Sequence, residues 1–189
     1  MKLLTFAHFL EAKAFITHFN LEQNSKFNSL YTGEQMLVLI TGEGANNVSF
    51  SLNKLFNLGD SQIDRIINMG TCGALNKQLK IGRPLVIAQV LGEDSIESAA
   101  TGQVGVTCVS AREKVNDELY RSKLKALADI CDREAWFVVN FAKKHGKEFN
   151  CFKVISDFST EVNLSTIKKN METFGQNLLD LYLRESTKF

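Results

Sequence analysis

The four cysteines, Cys72, Cys108, Cys131 and Cys151, include no CxxC pair. Wide spacing with most of them inside apolar runs argues against a metal site and reads as reduced core thiols of a cytosolic protein. Clusters of Lys and Arg are also missing. The 22 basic residues nearly balance 21 acidic ones, so the chain has no nucleic-acid footprint. Its three histidines, His8, His18 and His145, form no metal-ligand pattern. No Gly-Lys-Ser/Thr follows a glycine loop, which excludes a triphosphate-binding loop, and no G-x-S-x-G elbow exists for a serine nucleophile. No apolar run is long enough to cross a membrane. Glu11 and Lys13 interrupt the start before it reads as a signal peptide. With no repeat, low-complexity stretch or linker, residues 1–189 read as one domain. The expectation is a cytoplasmic protein with no cofactor, no metal, no nucleic acid and no membrane among its partners.

What the chain does have is alternation. Lys2 to Ala7, Met36 to Thr41, Arg65 to Met69, Pro84 to Val90, Val104 to Ser110 and Phe152 to Ile155 read as strands. Helical spacing covers Leu10 to Ile16, the stretch from Gly44 through Phe56, Lys114 to Ala128, Glu134 to His145 and Ser165 to Arg184, with Ser165 as a plausible N-cap. Continuous apolar strands alternating with helices argue for an α/β fold with a mainly parallel sheet covered on both faces. Gly92 to Gly105 reads as a surface loop.

In such sheets ligands bind beyond the carboxyl ends of strands. Glu11 follows the first strand, Asp132-Arg133-Glu134 opens a helix, and Ser156-Asp157 closes the last strand. Three acids in such places suggest one shared site. Glu11 and Glu134 sit near helix starts, where the dipole favours an anion, though a solvated helix face would explain either alone. Asp157, half buried, should have its pKa raised and so carry a proton; it could equally cap a turn. Gly70-Thr71-Cys72-Gly73 lets a ligand approach the backbone, or serves packing. Gly42-x-Gly44 is a phosphate cradle or a tight strand-to-helix turn. His8, between the first strand and Glu11, can contact a ligand; His18 and His145 read as surface residues.

Taken in order, Ala7-His8-Phe9-Leu10-Glu11-Ala12, Thr41-Gly42-Glu43-Gly44, Ile67 to Leu75, Ile81-Gly82, Asp132-Arg133-Glu134-Ala135 and Val154-Ile155-Ser156-Asp157 resemble the nucleoside phosphorylase/nucleosidase family, most closely its methylthioadenosine/S-adenosylhomocysteine nucleosidase branch. The resemblance implies a three-layer α/β/α domain with a twisted mixed sheet, a homodimer, and cleavage of the N-ribosidic bond of a purine nucleoside. It implies Asp157 as the acid that protonates the purine, held by Ser156, and Glu11 as the base that activates water. It also implies Glu134 at the ribose hydroxyls, with Gly70 and Thr71 in the loop that faces the sugar; Arg133, under the ribose, either binds a hydroxyl-rich or anionic group or folds away, and His8 remains a ligand contact read from its position. Phosphorylases of the family carry an arginine before the glycine run, where this chain has Ile67-Asn68-Met69, and a glycine-rich loop after the first strand, where it has His8 to Glu11. Both departures favour water over phosphate, with Arg83 and Arg112 left as anion binders for phosphorolysis. Arg133 stands where the nucleosidases have methionine, Lys153 where they have arginine, and the stretch from Val90 to Val104 is shorter. After Ser110 no aromatic offers itself to a purine. A noncatalytic nucleoside-binding protein is the alternative these differences suggest.

Overall fold

The computed structural model describes residues 1–59, 62–159 and 164–188. Its order is β1 (Lys2–Phe6), α1 (Phe9–His18), β2 (Glu22–Gln23), β3 (Leu30–Thr32), β4 (Met36–Ile40), α2 (Gly44–Asn57), β5 (Arg65–Ala74), β6 (Pro84–Gly92), β7 (Ser98–Ala100), β8 (Val106–Ser110), α3 (Glu118–Lys125), β9 (Ile130–Asp132), α4 (Ala135–Lys144), β10 (Glu148–Asp157) and α5 (Leu164–Glu185).

Strands β4, β1, β5 and β10 run parallel in that spatial order. Their side chains alternate between two cores, as the pleat requires. Leu4, Phe6, Val38 and Ile67 point to the face covered by α1 and α5. Leu3, Leu37, Leu39 and Ile66 point to the face covered by α2 and α4. The three-layer α/β/α arrangement therefore follows from strands that are apolar on both sides.

One half of the sheet closes on itself. β10 bonds to β5 on one side and to β6 on the other, and β6–β8–β9 leads back to β5. The five strands form a ring filled by small and branched side chains, among them Cys72, Ala74, Ile87, Val90, Cys108, Cys151 and Ile155. All four thiols are free and buried.

The structure corrects several boundaries. The Gly70–Gly73 stretch does not close β5 but belongs to it, because the ladder to β10 continues as far as Gly73. The expected loop from Gly92 to Gly105 holds the short strand β7, paired to β6 with Ala99 buried. Only Glu118–Lys125 of the expected 114–128 helix forms, started by Asp117, whose carboxylate accepts from the Tyr120 N–H at 2.8 Å. Ser165 lies inside the first turn of α5 rather than at its cap. His18 is exposed, but His145 is half buried, stacked on Phe141 at 4.2 Å.

Two features set the site's position. Up to Asn68, β5 pairs with β1; from Gly73 it pairs with β9. Between them β1 and β9 diverge, and Met69 to Cys72 are left facing a gap on that side. On the other side of the gap, α5 crosses α1 at Gly175. A Cβ there would come within 2.8 Å of the Glu11 carbonyl oxygen, so only glycine allows the two helices this close.

Candidate active site

The gap opens into a cavity of about 560 Å³. The eight residues expected at the catalytic and substrate site line it: His8, Glu11, Gly70, Thr71, Arg133, Glu134, Ser156 and Asp157. The end of β1 and start of α1 supply one wall, β5 the floor, the Asp132–Glu134 turn another wall, the end of β10 a third. The first turns of α5 cover it with Leu164, Ile167, Lys168 and Met171.

Glu11 is buried at the N-terminus of α1. Its Oε1 accepts from both the backbone N–H and the hydroxyl of Thr71 at 2.8 Å, and its Oε2 accepts from the His8 N–H at 3.0 Å. The His8 bond is half of a capping box, which satisfies a helix donor and fixes the carboxylate together. Gly70, at φ +153°, lies against this carboxylate; a Cβ would stand 3.3 Å from Oε1.

Glu134 is the residue before α4, and its Oε1 accepts from the Gly44 N–H at 2.8 Å, at the N-terminus of α2. Gly42-x-Gly44 is a tight strand-to-helix turn in which the Gly44 N–H is taken by a protein carboxylate. Burial, and next the nearby Asp132, push the Glu134 carboxyl up to about 7, although Lys153 opposes the rise. Such a group takes up a proton on folding between about pH 4.5 and 7, so the chain loses stability as pH rises through that window. Glu134→Gln removes this titration. We expect the melting temperature of the variant relative to the parent to increase from pH 5 to pH 8, measured by differential scanning calorimetry; a constant difference would contradict it.

Asp157 closes β10 half buried. Its Oδ2 accepts from the Ser156 hydroxyl at 2.6 Å and its Oδ1 from the Ser159 N–H at 2.6 Å. Both readings of this residue hold together, since the carboxylate caps a turn and also faces the cavity. Burial raises its pKa against the pull of those two hydrogen bonds and of Lys114.

Beneath the cavity is a buried ion pair. Lys153 Nζ stands 2.6 Å from Asp132 Oδ2, with side chains 1% and 0% exposed. Asp132 also accepts from Ser110 Oγ at 2.5 Å and from the Ala135 N–H at 2.9 Å, while Ser110 Oγ accepts from the Trp136 N–H at 2.8 Å. The first two free N–H groups of α4 are thus met by side chains of two neighbouring strands. Burial alone would lower the Lys153 pKa, but Asp132 overrides it and holds the amine charged.

Sequence reasoning missed Glu43, Lys114 and Lys168 in the cavity wall. The signal for Glu43 was its place inside Gly42-x-Gly44; Lys114 follows β8 on the side where ligands bind. Arg83 is exposed and does not line the cavity, and Arg112 pairs with Asp94. Neither is positioned as an anion binder of this site. The wall after Ser110 contributes Ala111, Glu113, Lys114 and Val115, none aromatic; Phe9 is the phenylalanine on the rim. Among the described residues no group of His, Cys, Asp or Glu could hold a metal ion, and no helix is long and apolar enough to cross a membrane.

A family model described as "Phosphorylase superfamily" matches residues 6–119. The DeoD-type purine nucleoside phosphorylase of Bacillus subtilis (strain 168) is 24% identical, the match covering 78% of this chain and 74% of that one. Among solved structures, a futalosine hydrolase mutant of Helicobacter pylori strain 26695 superposes with a TM-score of 0.86 at 15% identity, covering 100% of this chain and 99% of the other. A nucleosidase (MTAN) of Chlamydia trachomatis bound to MTA superposes at 0.81 with 21% identity, covering 100% and 98%.

Proposed function

The chain belongs to the phosphorylase superfamily, and on that footing we propose that it hydrolyses the N-ribosidic bond of a purine nucleoside and releases the free base. The observation that carries this reading is the convergence of Glu11, Glu134 and Asp157 on one cavity, each in a different electrostatic setting. The likeness to solved nucleosidases and to a futalosine hydrolase supports it.

Breaking the bond builds positive charge on the sugar and negative charge on the leaving purine. The purine needs a proton, and Asp157, whose pKa burial raises, is the group to deliver it to N7. Ser156 fixes the plane of that carboxyl. Glu11, oriented by three donors, takes the proton of the attacking water. Glu134 accepts from the ribose hydroxyls and stabilises the cationic sugar. Gly70 and Thr71 form the floor beneath the sugar, and His8 and Arg133 stand at its side.

Phosphorolysis is the second reading, favoured by the DeoD-type relatives. Against it stands the makeup of the β5 floor, Asn68-Met69-Gly70-Thr71, which offers no arginine. Incubation with adenosine, inosine and methylthioadenosine, with and without phosphate, decides between them. Free base without phosphate is expected, and base released only with phosphate would overturn the hydrolytic reading. In the same assay Glu11→Gln is expected to lower kcat by about 10²–10⁴-fold with little change in KM, as befits a proton acceptor. We also take the protein as a cytoplasmic homodimer. The four free thiols support the compartment, and sedimentation velocity tests the dimer.

A further inference from the structure

One end of the cavity carries charge where the chemistry of bond cleavage asks for none. His8 Nε2 stands 2.8 Å from Glu43 Oε1, and Arg133 Nη1 stands 2.9 Å from Glu43 Oε2. The chain His8–Glu43–Arg133 links the two inner carboxylates, because His8 N–H also binds Glu11 and Arg133 directly precedes Glu134. Asp157 lies apart from it, beside Gly73 and Ser159.

This arrangement fixes how a nucleoside lies, given the reading above. The base must reach Asp157 to receive its proton, and the ribose hydroxyls must reach Glu134. The 5′ carbon, on the side of the sugar remote from the base, then points to His8, Glu43 and Arg133. We propose that this end selects an uncharged hydrogen-bonding 5′ substituent, so that the substrate class is a purine nucleoside with its 5′-hydroxyl in place and not a 5′-thioether or a 5′-phosphate.

The argument is one of matching donors and acceptors. A hydroxyl both donates and accepts, and here it can donate to Glu43 and accept from Arg133. A thioether sulfur is a weak acceptor without a proton to give, so its entry strips water from the Glu43–Arg133 ion pair and returns little. A phosphate satisfies Arg133 but sets its charge against Glu43. The three groups are each between a third and a half exposed, so the discrimination falls below that of a fully buried site. Phe9, beside this chain, gives apolar surface to the sugar carbons of either substrate and does not discriminate.

The test compares adenosine, 5′-deoxyadenosine, methylthioadenosine and adenosine 5′-monophosphate. For the unaltered chain kcat/KM for adenosine should exceed each of the others by about 10- to 100-fold. Arg133→Met should bring the adenosine-to-methylthioadenosine ratio down at least tenfold, with a melting temperature near that of the parent; Glu43→Gln should lower it less. Equal or better use of methylthioadenosine by the unaltered chain overturns the proposal, as does an unchanged ratio in Arg133→Met. The four compounds are also titrated by calorimetry into Asp157→Asn. If no base is released from any nucleoside, the hydrolytic reading fails. The 5′ preference then stands on calorimetry alone, where tighter binding of adenosine than of 5′-deoxyadenosine supports it and equal binding sinks it.

Discussion

Asp157→Asn is expected to lower kcat for adenosine hydrolysis by about 10²–10⁴-fold while leaving the melting temperature close to that of the parent. Asparagine keeps an oxygen for the Ser159 N–H, and its amide NH2 faces the Ser156 hydroxyl, which still has the Cys72 carbonyl to donate to, so the turn survives. What is lost is the proton. A substrate whose leaving group departs comfortably as an anion separates this from a loss of binding: with p-nitrophenyl riboside the variant should retain a large share of parental turnover. Equal losses on both substrates would show that Asp157 positions the sugar and does not act as the acid. The pH profile gives a second readout. The acid form of Asp157 must be present, and burial raises its pKa, so parental activity on the nucleoside falls on the alkaline side. The p-nitrophenyl riboside profile should lack that fall.

Lys153→Met is expected to produce the largest loss of stability. The substitution leaves Asp132 with its charge under the cavity floor and no cation beside it. Removing one member of a buried pair costs about 3–5 kcal/mol, on the order of 10 °C in melting temperature for a chain of this size. The companion variant Lys153→Met with Asp132→Asn tells whether charge or packing is responsible. Asparagine still accepts from the Ala135 N–H and turns its NH2 to the Ser110 hydroxyl oxygen, so the double variant, free of the buried charge, should recover a good part of the loss. A double variant no more stable than the single one would mean that the alkyl chain of Lys153 supplies the stabilisation. The single variant should also alter the site itself. Lys153 holds the Glu134 pKa down, so its removal should raise that pKa further and shift the pH dependence of ribose binding to more alkaline values.

The three-layer alternation was legible because its signal is local. β1, β4 and β10 are apolar on both faces, and α5 repeats its buried positions, Met171, Phe174, Leu178 and Leu181, at helical intervals. Strands β2, β3 and β9 were not legible, being two or three residues long with no period to detect. The continuation of β5 through Gly70 and Gly73 runs against the low strand preference of glycine, and it is the β10 ladder that overrides it. Ring closure was hidden for the same reason, since it rests on pairings between residues far apart in sequence. In the cavity, Glu11, Glu134 and Asp157 stood out because each ends a strand or starts a helix. Glu43 did not, since its meaning lies in contacts to His8 and Arg133, 35 and 90 positions away in sequence.

The closed half of the sheet has a bearing on how copies of this chain meet. Strands β10 and β6, which would be borders of an open sheet, are joined to each other over Phe152–Val154 and Pro84–Val86, while β10 also pairs with β5 and β6 with β8. At the opposite limit stands β2, two exposed polar residues, Glu22 and Gln23. So short and charged a border gives an incoming strand almost nothing to zip onto. Among the described residues the other border, β7, is three residues long and paired only to β6, so the sheet offers little backbone edge for fibrous polymerisation.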